Sequence, residues 1–316
     1  MDTPPGQRAA GWARRAFTVA MMAFLAWNLY RQRITPAQLW ASLPSTPWFY
    51  VLWAALYALL PTAETAIYHR LWRVRISELL PVLLRKRVLS QDVLGYSGEV
   101  YLFCWARSRL GSPPPDGTGP PAMLHIKDNI LISSFASVLS AALIVGGVLL
   151  SGAHGLVRAF GDPRPIYIVL GTVATVFVVT MATRARRAVF TLPPRDLGFL
   201  SVVHGLRFTL ANVFLLLLWT TSVPGLPWEI WLTLLVVNVV VDRVPFVPAS
   251  DLVFLNTALA LAAPLGVSAA AISGVLVTKA ALDKVFNLVL FTAAPLLLRR
   301  SRASDDAGAP ESPAEG

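Results

Sequence analysis

Long blocks of apolar residues, separated by short basic segments, dominate the chain. A helix needs about 20 predominantly apolar residues to cross the ~30 Å hydrocarbon core of a bilayer, and several blocks reach or approach that length. The pattern predicts an all-α, polytopic helical membrane protein with 7–8 transmembrane helices in a single integral membrane domain, 1–302. The predicted spans are 14–31, 47–68, 130–150, 165–183, 203–223, 227–242, 252–265 and 270–298.

Residues 74–110 break this pattern. The apolar stretch 76–84 is followed by three basic residues, and as a helix it would cover only roughly 13 Å. The second short apolar run, 93–105, contains a glycine-rich turn at 95–99. Two half-length segments flanked by arginines predict a re-entrant or interfacial element, because irregular backbone at membrane depth requires cover by protein or water. The run 252–265 is short enough to be either a span or a second re-entrant arm.

The distribution of basic residues predicts the topology. With the N-terminus inside and eight crossings, 21 of the 27 Lys and Arg residues lie on the inner side and four on the outer side. This bias indicates that both termini are cytoplasmic. Frequent arginine and alanine are typical of a bacterial chain, so the predicted location is a bacterial inner membrane. The polar tail, 303–316, is predicted to be disordered.

Composition excludes several classes of protein. The chain of 316 residues is 55% hydrophobic and 14% charged, and its mean hydropathy is +0.61. Soluble domains are nearer 45–50% apolar and about 25% charged, so a soluble enzyme is excluded. Cys104 is the single cysteine, which rules out an intramolecular disulfide and a metal site built from cysteines. The net charge of +10 reflects an excess of basic residues, which we expect in cytoplasmic loops. No nucleic-acid partner is predicted.

No signature of covalent chemistry is present. The chain lacks a P-loop, GxGxxG, HExxH and GxSxG, and its four histidines are scattered over different segments. The sequence therefore predicts no enzymatic activity, no cofactor and no metal site.

Charged residues at membrane depth are the candidates for function, because they are costly there. Lys279, Asp283 and Asn287 recur every four residues and share one helical stripe. This stripe is either a Lys–Asp pair that neutralises itself inside the bundle or a polar lining that meets a headgroup or an ion.

Charges near the half-length segments allow two interpretations. We expect Glu64 to be neutralised at the interface by His69 and Arg70, and the cluster 85–87 to contact the lipid surface. Glu99 lies in the glycine-flanked turn with Arg107 behind it. A carboxylate with guanidinium groups suits a zwitterionic or anionic headgroup, since Arg pairs bidentately with phosphate. The alternative for the arginines is the positive-inside rule alone.

The segment YSGEVYLFCWARSRLG, 96–111, resembles the first polar motif of a flippase-like integral membrane family, related to the transmembrane region of lysylphosphatidylglycerol synthases. The segment 243–290 resembles the second motif of that family, in which a proline-led turn enters a short apolar helix. The turn here is Val247-Pro248-Ala249-Ser250-Asp251, where the family typically has Pro-Gly-Gly-x-Gly and a glutamate. No synthase domain follows, so aminoacyl transfer is not implied.

The resemblance implies a protein that binds or translocates lipids without covalent chemistry, in a polar groove between re-entrant elements. The implied partners are membrane lipids with anionic or phosphate-bearing headgroups. Two alternatives remain: a small-solute or ion transporter, and a non-catalytic structural membrane protein. The predicted groove residues are Glu99, carried over from the first motif, Arg107 and Asp251, which the motifs also suggest, and Lys279 and Asp283 from the polar stripe.

Overall fold

The computed structural model describes residues 35–93, 97–111, 122–150, 189–242 and 250–307, together with isolated positions within 19–30 and 168–179. The predicted spans 14–31 and 165–183 and the turn 243–249 lie outside the continuous ranges. The helices in chain order are α1 Pro36–Ala41, α2 Pro47–Trp72, α3 Ile76–Val88, the π-helical segment Leu89–Val93, α4 Ser97–Leu110, α5 Ala122–Leu150, α6 Pro194–Ser222, α7 Trp228–Val241, α8 Ser250–Ala262 and α9 Ala269–Ala307.

The described ranges contain helices and no strand, which confirms the predicted all-helical class. Three of these helices, α2, α5 and α6, are long and apolar enough to cross a membrane. Only 28%, 17% and 17% of the residues in their most apolar windows are buried. The apolar surface that they leave exposed is unfavourable in water and suits contact with lipid. The full number of spans stays a prediction.

The boundaries of the long helices follow local chemistry. Pro194 occupies the first turn of α6, where its missing N–H costs no helical hydrogen bond, and Asp196 lies in the same turn, where a negative charge is favourable. At the other end of the chain, α9 continues to Ala307, past residue 303, where the tail is predicted to begin.

The chain divides into two compact units. Unit 1 consists of Met1–Leu56, Val138–Val176 and Thr209–Leu282. Its largest described hydrophobic cluster contains two fully buried tryptophans, Trp219 and Trp231, which pack with Phe254 and its neighbours. The short helix α8 belongs to this unit and would cover about 20 Å, so whether 252–265 spans or re-enters stays open.

Unit 2 consists of Tyr57–Ser137, Phe177–Phe208 and Asp283–Gly316. Helices α3 and α4 pack against each other in this unit through Leu79, Leu83 and Leu102, all fully buried. The predicted half-length element, 74–110, is therefore a pair of helices joined through the π-helical segment. Each helix covers about 20 Å, which is less than a bilayer core, and re-entry into the membrane stays a prediction.

Polar side chains of α5 bind the segment that precedes α6. Asp128 of α5 is fully buried, and its Oδ2 accepts hydrogen bonds from the backbone amides of Thr191 and Leu192, both at 2.8 Å. The neighbouring Lys127 Nζ donates to the carbonyl oxygen of Val189 at 2.7 Å. Two adjacent side chains of one helix thus hold the segment that leads into α6.

Candidate functional site

A buried lysine of unit 2 is shared by two carboxylates. Lys86 of α3 forms a close ion pair with Glu64 of α2, and its Nζ lies 3.4 Å from Oε1 of Glu99 in α4. The exposed fractions of the three side chains are 6% for Lys86, 6% for Glu64 and 20% for Glu99. Charges this far from water persist only when they are paired. We call these residues the Glu64–Lys86–Glu99 triad.

The local sequence explains how α4 reaches the triad. Gly98 is buried, and a Cβ atom at this position would collide with the Lys86 carbonyl oxygen and the Ser90 hydroxyl. Glycine therefore lets the first turn of α4 approach the end of α3 closely. Ser90 Oγ donates to Glu99 Oε2 at 3.0 Å, and Ser97 Oγ donates to the Leu89 carbonyl oxygen at 2.8 Å. These bonds fix the Glu99 carboxylate beside Lys86.

The π-helical segment adds a second set of polar contacts. The Arg87 guanidinium lies 4.0 Å above the Tyr57 ring and donates to the Tyr57 carbonyl oxygen at 3.1 Å. The Tyr57 hydroxyl donates to Asn287 Oδ1, and Asn287 Nδ2 donates to Gln91 Oε1 at 3.3 Å. Short π-helical turns often occur at functional sites.

We refer to these contacts together as the π-segment site. It comprises the triad and five residues around it: Tyr57, Arg87, Ser90, Gln91 and Asn287.

A second polar chain extends from the same face of α2. Tyr68 follows Glu64 by one helical turn, and its hydroxyl accepts from Asn129 Nδ2 at 3.0 Å. His204 Nε2 in turn donates to Asn129 Oδ1 at 2.8 Å. Tyr68 and His204 are fully buried. The interior of unit 2 is therefore polar along α2, and it holds ionisable side chains, whereas the buried polar side chains described in unit 1 are uncharged.

An exposed ion pair lies on the surface of the helix pair. Arg109 donates to both carboxylate oxygens of Glu78, at 2.9 and 3.3 Å. This hydrogen bonding lowers the pKa of Glu78 from its usual 4.5, and the positive charges of Arg109 and Arg75 act in the same direction. Desolvation of the carboxylate opposes the shift. The pair lies outside the π-segment site and serves below as a control.

The predicted groove residues in unit 2 fall at different distances from the site. Glu99 belongs to the triad, whereas Arg107 is exposed and lies about 12 Å further along α4. Asp283 is half-buried on α9 and precedes Asn287 by four residues, so both lie on one helical stripe. Asn287 is 2% exposed. Its contacts place this part of the polar stripe at the π-helical segment.

The other two predicted groove residues belong to unit 1. Asp251 is exposed in the first turn of α8, and Lys279 is half-buried on α9. Their place in a groove stays a prediction.

Two predictions about charged residues are wrong. Lys86 does not contact the lipid surface, because it is 5% exposed and paired inside unit 2. Glu64 is not neutralised by Arg70, which instead pairs with Asp196 at 2.9 Å. One sequence signal could have located Lys86: it continues the buried stripe of Leu79 and Leu83 at helical spacing.

No known protein family model, curated protein or solved structure matches the chain. Within the described ranges, no group of three or more His, Cys, Asp or Glu side chains is arranged to hold a metal ion.

Proposed function

We propose that this chain is an integral membrane protein that binds membrane lipids by their headgroups and translocates them without covalent chemistry. The observation that carries the proposal is the buried Glu64–Lys86–Glu99 triad, in which Glu64 belongs to α2, a helix long and apolar enough to cross a membrane. Ionisable groups in such surroundings are costly, and they mark substrate or ion pathways by default.

The half-length helices support the lipid assignment. Helices α3 and α4 carry charged side chains into the interior of unit 2, and each is too short to span a bilayer. Exposed apolar residues of the same pair, such as Ile76, Leu80 and Val100, can contact acyl chains while the polar π-segment site meets a headgroup. An amphipathic substrate can contact the apolar surface with its acyl chains and the polar site with its headgroup at the same time.

The proposal is tested by reconstitution of the full chain into lipid vesicles. The vesicles contain lipids labelled on the headgroup, and a membrane-impermeant reagent quenches the label in the outer leaflet. We expect the protein to increase the fraction of label that becomes accessible. Arg87→Gln removes a cation of the π-segment site that makes no ion pair among the described residues, and it should slow the movement at least about tenfold, because a hydrogen bond to a charged group contributes about 1.5–3 kcal/mol.

Glu78→Gln is the matched control, since Glu78 lies in the same helix and pairs with Arg109 at the surface. It should translocate lipid at the wild-type rate. The proposal would be contradicted if the inner-leaflet label were protected to the same extent in vesicles with the protein and in protein-free vesicles.

A second candidate function is an ion-coupled transporter of a small solute. The observation that favours it is the net charge of the triad, which is −1 when all three groups are ionised, because such a site can hold a cation or a proton during transport. Solute uptake that depends on a cation gradient and is abolished by Glu99→Gln, without movement of labelled lipid, would establish this candidate.

A further inference from the structure

Glu99 and Arg87 of the π-segment site have partners that balance their charges only in part. Glu99 is the more exposed carboxylate of the triad, and its contact with Lys86 at 3.4 Å is longer than the close pair that Glu64 makes. Arg87 contacts only the ring and the carbonyl oxygen of Tyr57 among the described residues, and its buried Nε donates to no atom there. One group has spare accepting capacity and the other has spare donors.

These two groups adjoin the same turn of helix. Arg87 belongs to the last turn of α3, and Ser90 follows three residues later in the π-helical segment. Ser90 Oγ holds Glu99 Oε2 at 3.0 Å. A positive donor therefore lies on the α3 side of the junction with the π-helical segment, and Ser90 holds a carboxylate with a longer ion pair on the other side.

We propose that the π-segment site binds a zwitterion that carries a primary ammonium and a phosphate. The ammonium donates to Glu99, and the phosphate accepts from the Arg87 guanidinium, whose planar fork suits phosphate oxygens. The Tyr57 ring lies beneath this guanidinium and fixes its orientation. The assignment to a lipid headgroup rests on the proposed function, whereas the zwitterion chemistry rests on the site itself.

Other charge types fit the site less well. A purely anionic headgroup would satisfy Arg87 but would approach two carboxylates, Glu64 and Glu99. A purely cationic group would satisfy Glu99 and leave the buried Arg87 donor without an acceptor. A quaternary ammonium has no N–H to donate, so it cannot replace a primary ammonium at Glu99.

The test measures headgroup preference in the full chain, purified in detergent. Binding of phosphatidylethanolamine, phosphatidylcholine and phosphatidylglycerol, matched in acyl chains, is compared by equilibrium titration in mixed micelles. We expect wild-type protein to prefer phosphatidylethanolamine over both other lipids. Glu99→Gln should weaken its binding about tenfold, since it removes the charge that the ammonium meets, and should not weaken phosphatidylglycerol binding, since it removes a charge that repels an anionic headgroup.

Arg87→Gln should weaken binding of both phosphatidylethanolamine and phosphatidylglycerol about tenfold, because both carry the phosphate. Arg109→Gln, a surface arginine on the same helix pair, is the matched control and should change neither. Equal binding of the three lipids by wild-type protein overturns the proposal without any variant. An equal effect of Glu99→Gln on all three lipids also overturns it.

Two further arms separate the source of the ligand and the two proposals. If soluble glycerophosphoethanolamine competes as strongly as the lipid, the natural ligand is a free zwitterion; if it competes only weakly, the ligand is a lipid headgroup. Preferential binding without lipid movement in vesicles would contradict the proposed function and leave this inference intact. Lipid movement that is independent of the headgroup would support the proposed function and contradict this inference.

Discussion

Lys86 and Glu99 lie 3.4 Å apart where α3 and α4 meet, and Lys86 also makes a close ion pair with Glu64 of α2. One cation therefore holds three helices of unit 2 together. Lys86 neutralises charge on both carboxylates, and because it is buried, water cannot take its place.

Lys86→Met should destabilise the protein strongly. The substitution leaves two carboxylates close together in a buried position, and removal of one partner of a buried ion pair costs about 3–5 kcal/mol. Chemical unfolding in detergent measures the change. Combining Lys86→Met with Glu64→Gln should recover part of the loss, because it removes the most buried unpaired charge. Wild-type stability of the single variant would contradict the assigned ion pairs.

The long helices could be predicted from sequence, whereas the triad could not. Apolar blocks of sufficient length identify α2, α5 and α6, because hydropathy responds to length and composition alone. Helix α5 begins at Ala122, before the predicted start at residue 130. Its first turns carry polar residues that find partners inside unit 2, such as Asp128 and Asn129. A hydropathy pattern contains no information about this pairing, because it depends on tertiary contacts.

The partners of the charged residues depend on tertiary structure. Glu64 and Lys86 are 22 residues apart in the sequence, and nearer basic residues offer Glu64 a simpler partner. The prediction of Glu99 as a site residue had a local signal, the glycine-flanked turn. For Lys86, a basic cluster next to a short apolar run indicated the membrane surface, and only its place on the buried stripe of α3 pointed inward.

Gly98→Ala should destabilise the helix pair. The added methyl group would collide with the backbone of Lys86 and with the Ser90 hydroxyl. Overpacking of this kind costs about 1–3 kcal/mol. Gly205→Ala is the matched control, since nothing lies within 4 Å of the added atom. Alanine in the interior of α6 should be neutral or stabilising by up to about 1 kcal/mol. Equal effects of both changes on the thermal midpoint would refute the close approach.

The Glu78–Arg109 pair should contribute a small stability that depends on pH. The pKa of Glu78 is lowered from 4.5 by the hydrogen bond from Arg109. The contribution is therefore complete above the unfolded value, near 4.5, and disappears as the pH falls through the lower folded value. Arg109 is 54% exposed, so the pair contributes at most about 1 kcal/mol. A double-mutant cycle with Glu78→Gln and Arg109→Met, repeated at acidic and neutral pH, measures the coupling. A coupling that grows in acid would contradict this sign.

Tyr57→Phe should loosen the contact between α2 and α9. The change removes the donor to Asn287 Oδ1, and Asn287 is 2% exposed. A buried acceptor that loses its donor costs about 1–3 kcal/mol. Tyr50→Phe is the control, because the Tyr50 hydroxyl donates to the Pro44 carbonyl oxygen at a position that is 42% exposed. Unfolding of the two variants side by side should show the larger loss for Tyr57→Phe.

Asp128→Ala should release the segment that leads into α6. The Asp128 carboxylate accepts from the amides of Thr191 and Leu192, both at 2.8 Å. Both amides lose their acceptor in the variant, so hydrogen exchange at 191–192 should accelerate by at least about tenfold, equivalent to ~1.4 kcal/mol of lost protection. Asp196→Ala removes the partner of the exposed Arg70 and a favourable charge in the first turn of α6, but this carboxylate accepts from neither amide, so the variant should leave the amides protected. Exchange at 191–192 that is unchanged in Asp128→Ala would show that Lys127 and the packing of Leu192 hold the segment without the carboxylate.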